Sequence, residues 1–296
     1  MKGLLEVEIE GTTKVSSGKV REIYQAGENY LVVATDRLSA FDCVLPDPIP
    51  RKGEVLNRLS AFWFQIFTEV PNHFLTLNPE EFPAPFPRFA EALAGRSMLV
   101  LPARPLPVEC VVRGYLAGSA WLEYQNHGTV GGHSMPTGLR EAEKLPEPLF
   151  TPSTKAAAGH DLPLTWTECR DLLGETTAER ARELSLHVYR RGSELAADRG
   201  IIIADTKFEF GWRQDQLLLI DECLTPDSSR FWPQSGYRPG TNPPSFDKQF
   251  VRDYLNGLTW DKNPPAPRLP PEIIEKTSAK YQEAYQRLTG LPLSAP

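Results

Sequence analysis

The chain has 296 residues, which at about 150 per domain gives room for two domains or one large elaborated one, with a sizeable core. Acids outnumber bases by 38 to 32, a formal charge of −6, which argues against nucleic acid as the main partner because polyanion binders carry a basic surplus. With 41% hydrophobic and 24% charged residues the composition is globular rather than disordered, and 28 prolines, about twice the usual share, predict many rigid connections.

Residues 1–107 read as short strands with one convincing helix, a small β-rich lobe. The opening residues Met1 to Gly11 lack the apolar core of a secretory leader. Tyr30 to Thr35 is a β-branched run that ends in a polar cluster, and Ser97 to Leu101 is another strand. Between them, Val55, Leu59, Phe62, Trp63 and Ile66 fall at helical spacing, which predicts a helix over 54–70 packed on the sheet. Pro79 to Pro107 holds seven prolines and reads as extended connection with a short helix near Phe89 to Leu93. The crossover into a larger α/β lobe, 108–296, is placed on Val108 to Arg113. There Thr165 to Glu168 and Thr176 to Glu179 both have capping-box spacing, the second opening a helix that runs to Gly200. Ile201 to Phe210 and Gln216 to Glu222 form a hairpin across a short glycine-containing turn, and a last helix runs from Pro271 to Gly290. The proline-rich tail from Asn263 leaves two readings, packing on the core or bridging the subunits of a homo-oligomer. No apolar run reaches the length of about 18 residues that a membrane span requires, so a cytoplasmic protein with no membrane partner is expected. Cys43, Cys110, Cys169 and Cys223 lie far apart with no C-x-x-C pair, which reads as reduced, mostly buried thiols rather than a zinc or disulfide framework.

The strongest chemical signal lies in the hairpin. A strand through Asp205, Lys207 and Glu209 puts all three on one face and Thr206, Phe208 and Phe210 on the other. The partner strand Leu217 to Ile220 ends abruptly in Asp221 and Glu222. Several carboxylates and one lysine on such apolar elements suit Mg²⁺ and a polyphosphate, although a cross-strand ion-pair ladder has similar spacing. Gly18 and Lys19 in a turn before a strand lay backbone N–H groups and one ammonium over phosphates, or serve an ordinary hairpin turn; the spacing is not that of a P-loop. Asp36 and Ser39 follow the Tyr30 strand, where polar residues meet a ligand or cap their own loop through side-chain-to-backbone bonds; Arg113 runs toward Ser119 at the predicted N-cap of a helix, an arrangement suited to an anion. No G-x-S-x-G elbow or H-E-x-x-H motif occurs, so triad hydrolysis and zinc chemistry are poor candidates.

Taken in order, the blocks Gly18–Tyr24, Ala34–Asp42, Val108–Tyr115, Phe150–Lys155, Asp205–Gly211, Asp221–Glu222, Thr225–Arg230 and Pro244–Phe250 resemble the SAICAR synthetase (phosphoribosylaminoimidazole-succinocarboxamide synthase) family over most of the chain. The resemblance implies an α+β, ATP-grasp-like fold in which a small lobe similar to a kinase N-lobe and a larger lobe hold ATP between them. It implies an ATP- and Mg²⁺-dependent ligase that joins L-aspartate to the carboxylate of carboxyaminoimidazole ribotide (CAIR) in purine biosynthesis. Residue by residue, it implies Gly18, Lys19, Val20 and Arg21 over the phosphates, with Glu109 and Val111 along the adenine side. It implies Glu209 and Asp221 as Mg²⁺ ligands, and Lys207, Asp205 and Arg230 at the reacting groups. Arg113, Ser119, Asp36, Ser39 and Arg230 match ribotide contacts, and Lys155, His160 and Asp161 match a loop that faces aspartate. That loop departs from the family pattern: Lys155-Ala-Ala-Ala-Gly159-His160-Asp161 is one residue shorter and poorer in polar groups. Two rivals are a small-molecule kinase on the same nucleotide site and a non-catalytic nucleotide-binding protein.

Overall fold

A computed structural model describes residues 3–155 and 161–293, organised on two antiparallel sheets. The first runs in the spatial order Lys14–Ser17, Arg21–Ala26, Asn29–Ala34, Ser97–Val100, Phe74–Thr76. Period-two alternation divides its side chains between two cores. Tyr24, Leu31, Val33 and Leu99 pack with Val7, Ile9, Phe82 and Phe86 on one face. Val32, Met98 and Val100 turn to the other, where the helix Lys52–Ile66 lies.

The second sheet is built around the long strand Ile201–Arg213. Val108–Tyr115 pairs with its middle, Asp205 to Phe208, and Lys144–Phe150 lies outside that. Ser229–Pro233 pairs with its beginning, and Gln216–Ile220 with its end. Helix Glu175–Ala197 covers this sheet with Ala178, Ala181, Leu184, Val188 and Tyr189, a stripe at helical spacing. One hydrophobic core then runs continuously from Val32 and Val100 of the first sheet through Val55, Leu59 and Trp63 to Val108, Phe208 and Phe210 of the second. The last helix, Pro271–Thr289, packs against Lys52–Ile66, so the chain after the proline-rich tail returns to its own core. Among the described residues no helix is long and apolar enough to cross a membrane.

Three local expectations are corrected. Thr165 and Glu168 do form a capping box, but Thr176 does not. The preceding helix ends at Gly174, which at φ 78 also starts the next one, so Thr176 is already one residue inside it. The hairpin turn holds no glycine: Gln214, at φ 53, and Asp215 make it. Gly211 sits within the strand, where a Cβ would come within 3.0 Å of the Ala103 Cβ and 3.1 Å of the Arg104 carbonyl, so a glycine is needed for close approach rather than for turning. Helix Ser119–His127 is capped by Gly118 at φ 56, which makes Ser119 its first residue rather than its N-cap.

Candidate active site

A cavity of about 730 Å³, within the usual range for ligand pockets, opens between the two sheets. The first sheet and its continuation supply an apolar end through Ile23, Tyr30, Val32, Val100 and Leu101, and the turn at Gly18, Lys19 and Val20 overhangs it. The second sheet supplies a charged floor of Glu109, Lys207, Glu209, Asp221 and Glu222, joined by Lys155.

Strand periodicity builds that floor. Phe208 and Phe210 are fully buried on one face of Ile201–Arg213, so Lys207 and Glu209 must point the other way, into the cavity. Lys207 bonds to Glu109 on the neighbouring strand and lies 3.9 Å from Glu209, which is itself bonded by Lys155. Burial alone would push the Lys207 ammonium down, but Glu109 and Glu209 outweigh it and hold the group above its ordinary range, firmly charged. Burial raises Glu109. Asp221 ends its strand in a left-handed backbone conformation, φ 66, and Arg21 grips its carboxylate at 2.7 and 2.9 Å while also reaching Glu222 at 2.7 Å. Burial raises Asp221, and the like charge of Glu209 pushes in the same direction against Arg21. Two carboxylates that share one cavity wall, Asp221 raised in part by the like charge of Glu209, are a fitting place for a divalent cation. Among the described residues no three acidic, histidine or cysteine side chains converge into a cage, so the donor set fits Mg²⁺ shared with ligand phosphate oxygens and not an all-protein site.

A second cluster lies one strand step away. Asp205 sits between two guanidinium groups, bonded by Arg230 and 3.3 Å from Arg113. Arg113 also donates to Ser119 Oγ at 3.2 Å and Thr151 Oγ1 at 2.9 Å. Gly118 makes room for it, since a Cβ there would stand 2.2 Å from Arg230 Nη2. With two arginines against one carboxylate the cluster carries a surplus positive charge, suited to an anion.

A family model described as SAICAR synthetase matches residues 14–267. The chain belongs to the SAICAR synthetase family. It is 57% identical to the phosphoribosylaminoimidazole-succinocarboxamide synthase of Methylococcus capsulatus over 97% of this chain and 98% of that one. It is 56% identical to that of Desulfosudis oleivorans over 95% and 96%. The SAICAR synthase of Saccharomyces cerevisiae, solved in complex with SAICAR, superposes with a TM-score of 0.89 at 41% identity, covering 99% of this chain and all of that one. The SAICAR synthases are ligases of purine biosynthesis, and the α+β fold matches.

Within this SAICAR synthetase fold, Gly18, Lys19, Val20, Arg21, Ser39, Glu109, Lys155, Asp161, Lys207, Glu209 and Asp221 all border the cavity. Arg113, Ser119, Asp205 and Arg230 form the adjoining cluster, with Asp205 between arginines rather than beside the acidic pair. Two expected residues stand elsewhere. Asp36, 1% exposed, accepts the Leu4 and Gly53 amides at 2.7 and 2.9 Å and lies 3.3 Å from Arg96, so it anchors the start of helix Lys52–Ile66 beneath the site. Val111 is not a cavity wall; its carbonyl accepts the Thr151 amide at 2.8 Å. His160 lies outside the described residues. The structure adds His73, Asp227, Lys248 and Arg252 to the walls. Lys248 and Arg252 stand four apart around the start of helix Gln249–Asn256, a helical spacing that was readable but pointed at nothing nearby in sequence. Burial pushes the Lys248 ammonium down to about 8. Burial, then Arg21, lowers the His73 imidazole to about 3, so the ring is neutral.

Proposed function

We propose that the chain joins L-aspartate to CAIR with ATP as the energy source, giving SAICAR, ADP and phosphate. The observation that carries this is a cavity with an acidic floor beside which, one step along the strand Ile201–Arg213, an arginine-rich anion cluster stands. The yeast relative's complex with SAICAR supports the same substrate class. A carboxylate is a poor acyl donor because oxide would have to leave. In this reading a CAIR carboxylate oxygen attacks the γ-phosphorus, ADP departs, and the aspartate amine then displaces phosphate from the acyl carbon. Such transfer needs positioning and charge neutralisation more than a covalent nucleophile. Lys207 sits where charge develops on the transferred group, and Lys19 lies over the phosphates once it parts from Asp42. Arg113, Ser119 and Arg230 hold the ribotide phosphate, with Ser39 nearby, and Asp205 fixes both arginines. Glu109 lies alongside the nucleotide, and Lys155 and Asp161 bring the loop that receives aspartate. Glu209 and Asp221 would hold Mg²⁺, whose contribution is neutralisation of the phosphate oxygens. The first sheet, within 1–107, covers the nucleotide, and 108–296 carries the remaining groups.

The test is ADP release from Mg-ATP and CAIR with and without L-aspartate, following the succinocarboxamide product. ADP and product arising together only with all three substrates is the expected result. ATP turnover indifferent to aspartate would overturn the reading. Asp221→Asn is expected to lower Mg²⁺-dependent turnover by at least about a hundredfold with unchanged thermal unfolding.

A further inference from the structure

Ser39–Ala40 and Cys43–Val44 pair as a short hairpin whose two-residue turn is Phe41 and Asp42, at φ 52 and φ 61. A turn with positive φ at both central residues favours Asn-Gly or Asp-Gly, so a phenylalanine in its first place works against its own backbone. Ser39, Phe41 and Asp42 all line the cavity, and Asp42 pairs with Lys19. A ladder of two residues on each side is too short to hold such a turn by itself.

The proline-rich tail holds it from outside. The Trp260 ring meets Phe41 edge-on, with centroids 6.1 Å apart and planes at 70°, and the Lys262 ammonium stands 4.5 Å from the centroid of the same ring. The Cys43 thiol donates to the Lys262 carbonyl at 3.4 Å. The tail is itself closed at this point, since Trp260 Nε1 donates to the Asn263 carbonyl at 2.8 Å and the Asn263 amide to Asp261 Oδ1 at 3.0 Å. Farther on, the Arg268 guanidinium and the Leu269 amide donate to Asp47 at 2.8 and 2.9 Å, which pins the tail to the loop that leaves the hairpin. Beneath these contacts Leu38, Ala40 and Leu45 pack with Val251 and Leu255 of helix Gln249–Asn256, whose Arg252 also borders the cavity. Trp260 and Lys262 do not line the cavity themselves.

We infer that Trp260 and Lys262 are positioning residues: through Phe41 they keep the Ser39–Val44 hairpin in its left-handed turn, and so hold the cavity wall that receives the ribotide. The inference rests on the place beside the ribotide given to Ser39 above. An aromatic edge contact and an exposed cation over a ring are together of the same order as the backbone strain they oppose. Without the Trp260 ring the turn stands near balance between its held and relaxed forms, and the held fraction sets the apparent affinity.

The experiment compares Trp260→Leu, which loses the aromatic edge, with Trp260→Phe, which keeps an aromatic ring facing Phe41 and loses only the indole bond to Asn263. One readout is steady-state kinetics, and the other is alkylation of the native protein by iodoacetamide, mapped thiol by thiol. All four cysteines are buried, and Cys43 alone belongs to the hairpin. Trp260→Leu is expected to raise the KM for CAIR by about three- to tenfold with kcat within about twofold, and to leave the KM for ATP unchanged or lower, since a relaxed turn draws Asp42 away from Lys19. It is expected to speed alkylation of Cys43 by about tenfold with Cys110, Cys169 and Cys223 unchanged, and Trp260→Phe to recover most of both effects. Faster Cys43 alkylation with an unmoved KM for CAIR would overturn the inference, because the clasp would then be structural only; so would a Phe variant no better than Leu, or all four thiols opening together. If the unmodified protein turned over no CAIR, the substrate reading would fall by itself, and equal Cys43 rates in the Leu variant and the unmodified protein would overturn the clasp separately. Lys262→Gln, at an exposed side chain, carries the same test with a smaller effect should Trp260→Leu not fold.

Discussion

Lys52 and Asp227 form one ammonium–carboxylate pair beside the cavity, and Lys19 and Asp42 form another. In the first, the side chains are 0% and 5% exposed, the charges are 2.7 Å apart, and Tyr281 Oη donates to the second carboxylate oxygen at 2.7 Å. It ties the start of helix Lys52–Ile66, the loop after the acidic strand end, and the last helix into one piece. In the second the side chains are 53% and 45% exposed, and the pair closes the mouth of the cavity beneath the Gly18 turn. The charges are alike and the consequences are opposite. Removing either partner of the sealed pair strands a charge away from water, whereas the open pair trades its contact for solvent or for a ligand at little loss.

The sharpest way to break this contrast is Asp227→Asn. The substitution keeps the shape and leaves the Lys52 ammonium buried opposite a neutral amide, so unfolding in urea should show a loss of about 3–5 kcal/mol. A loss no greater than that of a typical surface substitution, about 0.5 kcal/mol, would mean that water reaches Lys52 and that the pair is not sealed. A smaller effect is expected at Lys248, which faces Asp227 across the cavity but has no carboxylate within ion-pair distance among the described residues. Its folded pKa, about 8, lies below the ordinary 10.5. Between those values the unfolded chain binds more protons than the folded one, so stability contributed through this group rises with pH across that window. Relative to Lys248→Met, the unmodified protein should therefore gain stability from about pH 8 to 10.5, and a flat difference over that range would refute the burial of this ammonium.

The same contrast marks what could be read from sequence. The period-two run through Asp205, Lys207 and Glu209 was legible because a strand's two faces are fixed by its own residues, and the Thr165 capping box was legible because both partners lie within one helical turn. Thr176 and Ser119 were misplaced because a glycine at positive φ, Gly174 two residues before the one and Gly118 directly before the other, starts the helix itself. Asp36 read as a ligand contact because a polar residue leaving a strand looks the same whether it meets solvent or, as here, the amides of Leu4 and Gly53. His73, Lys248 and Arg252 reach the cavity only through pairing and packing across the whole chain, which leaves no local mark. The pairing of Lys52 with Asp227 is hidden for the same reason.

The mildest stability change and the more telling functional one belong to the open pair. Lys19→Met should alter unfolding by no more than about 1 kcal/mol, because an exposed ion pair contributes little against its own ordering entropy and solvent screening. It should still raise the KM for ATP by several-fold, since the ammonium over the phosphates is lost. Asp42→Asn should move the KM for ATP the other way or leave it unchanged, because it releases Lys19 toward the phosphates, and raising the salt concentration should shrink the difference between the two variants. If Lys19→Met instead destabilised the fold as strongly as Asp227→Asn, the mouth of the cavity would be a structural seam rather than an opening. The turn at Gly18 would then have to be redrawn as part of the frame that Lys52 and Asp227 hold together.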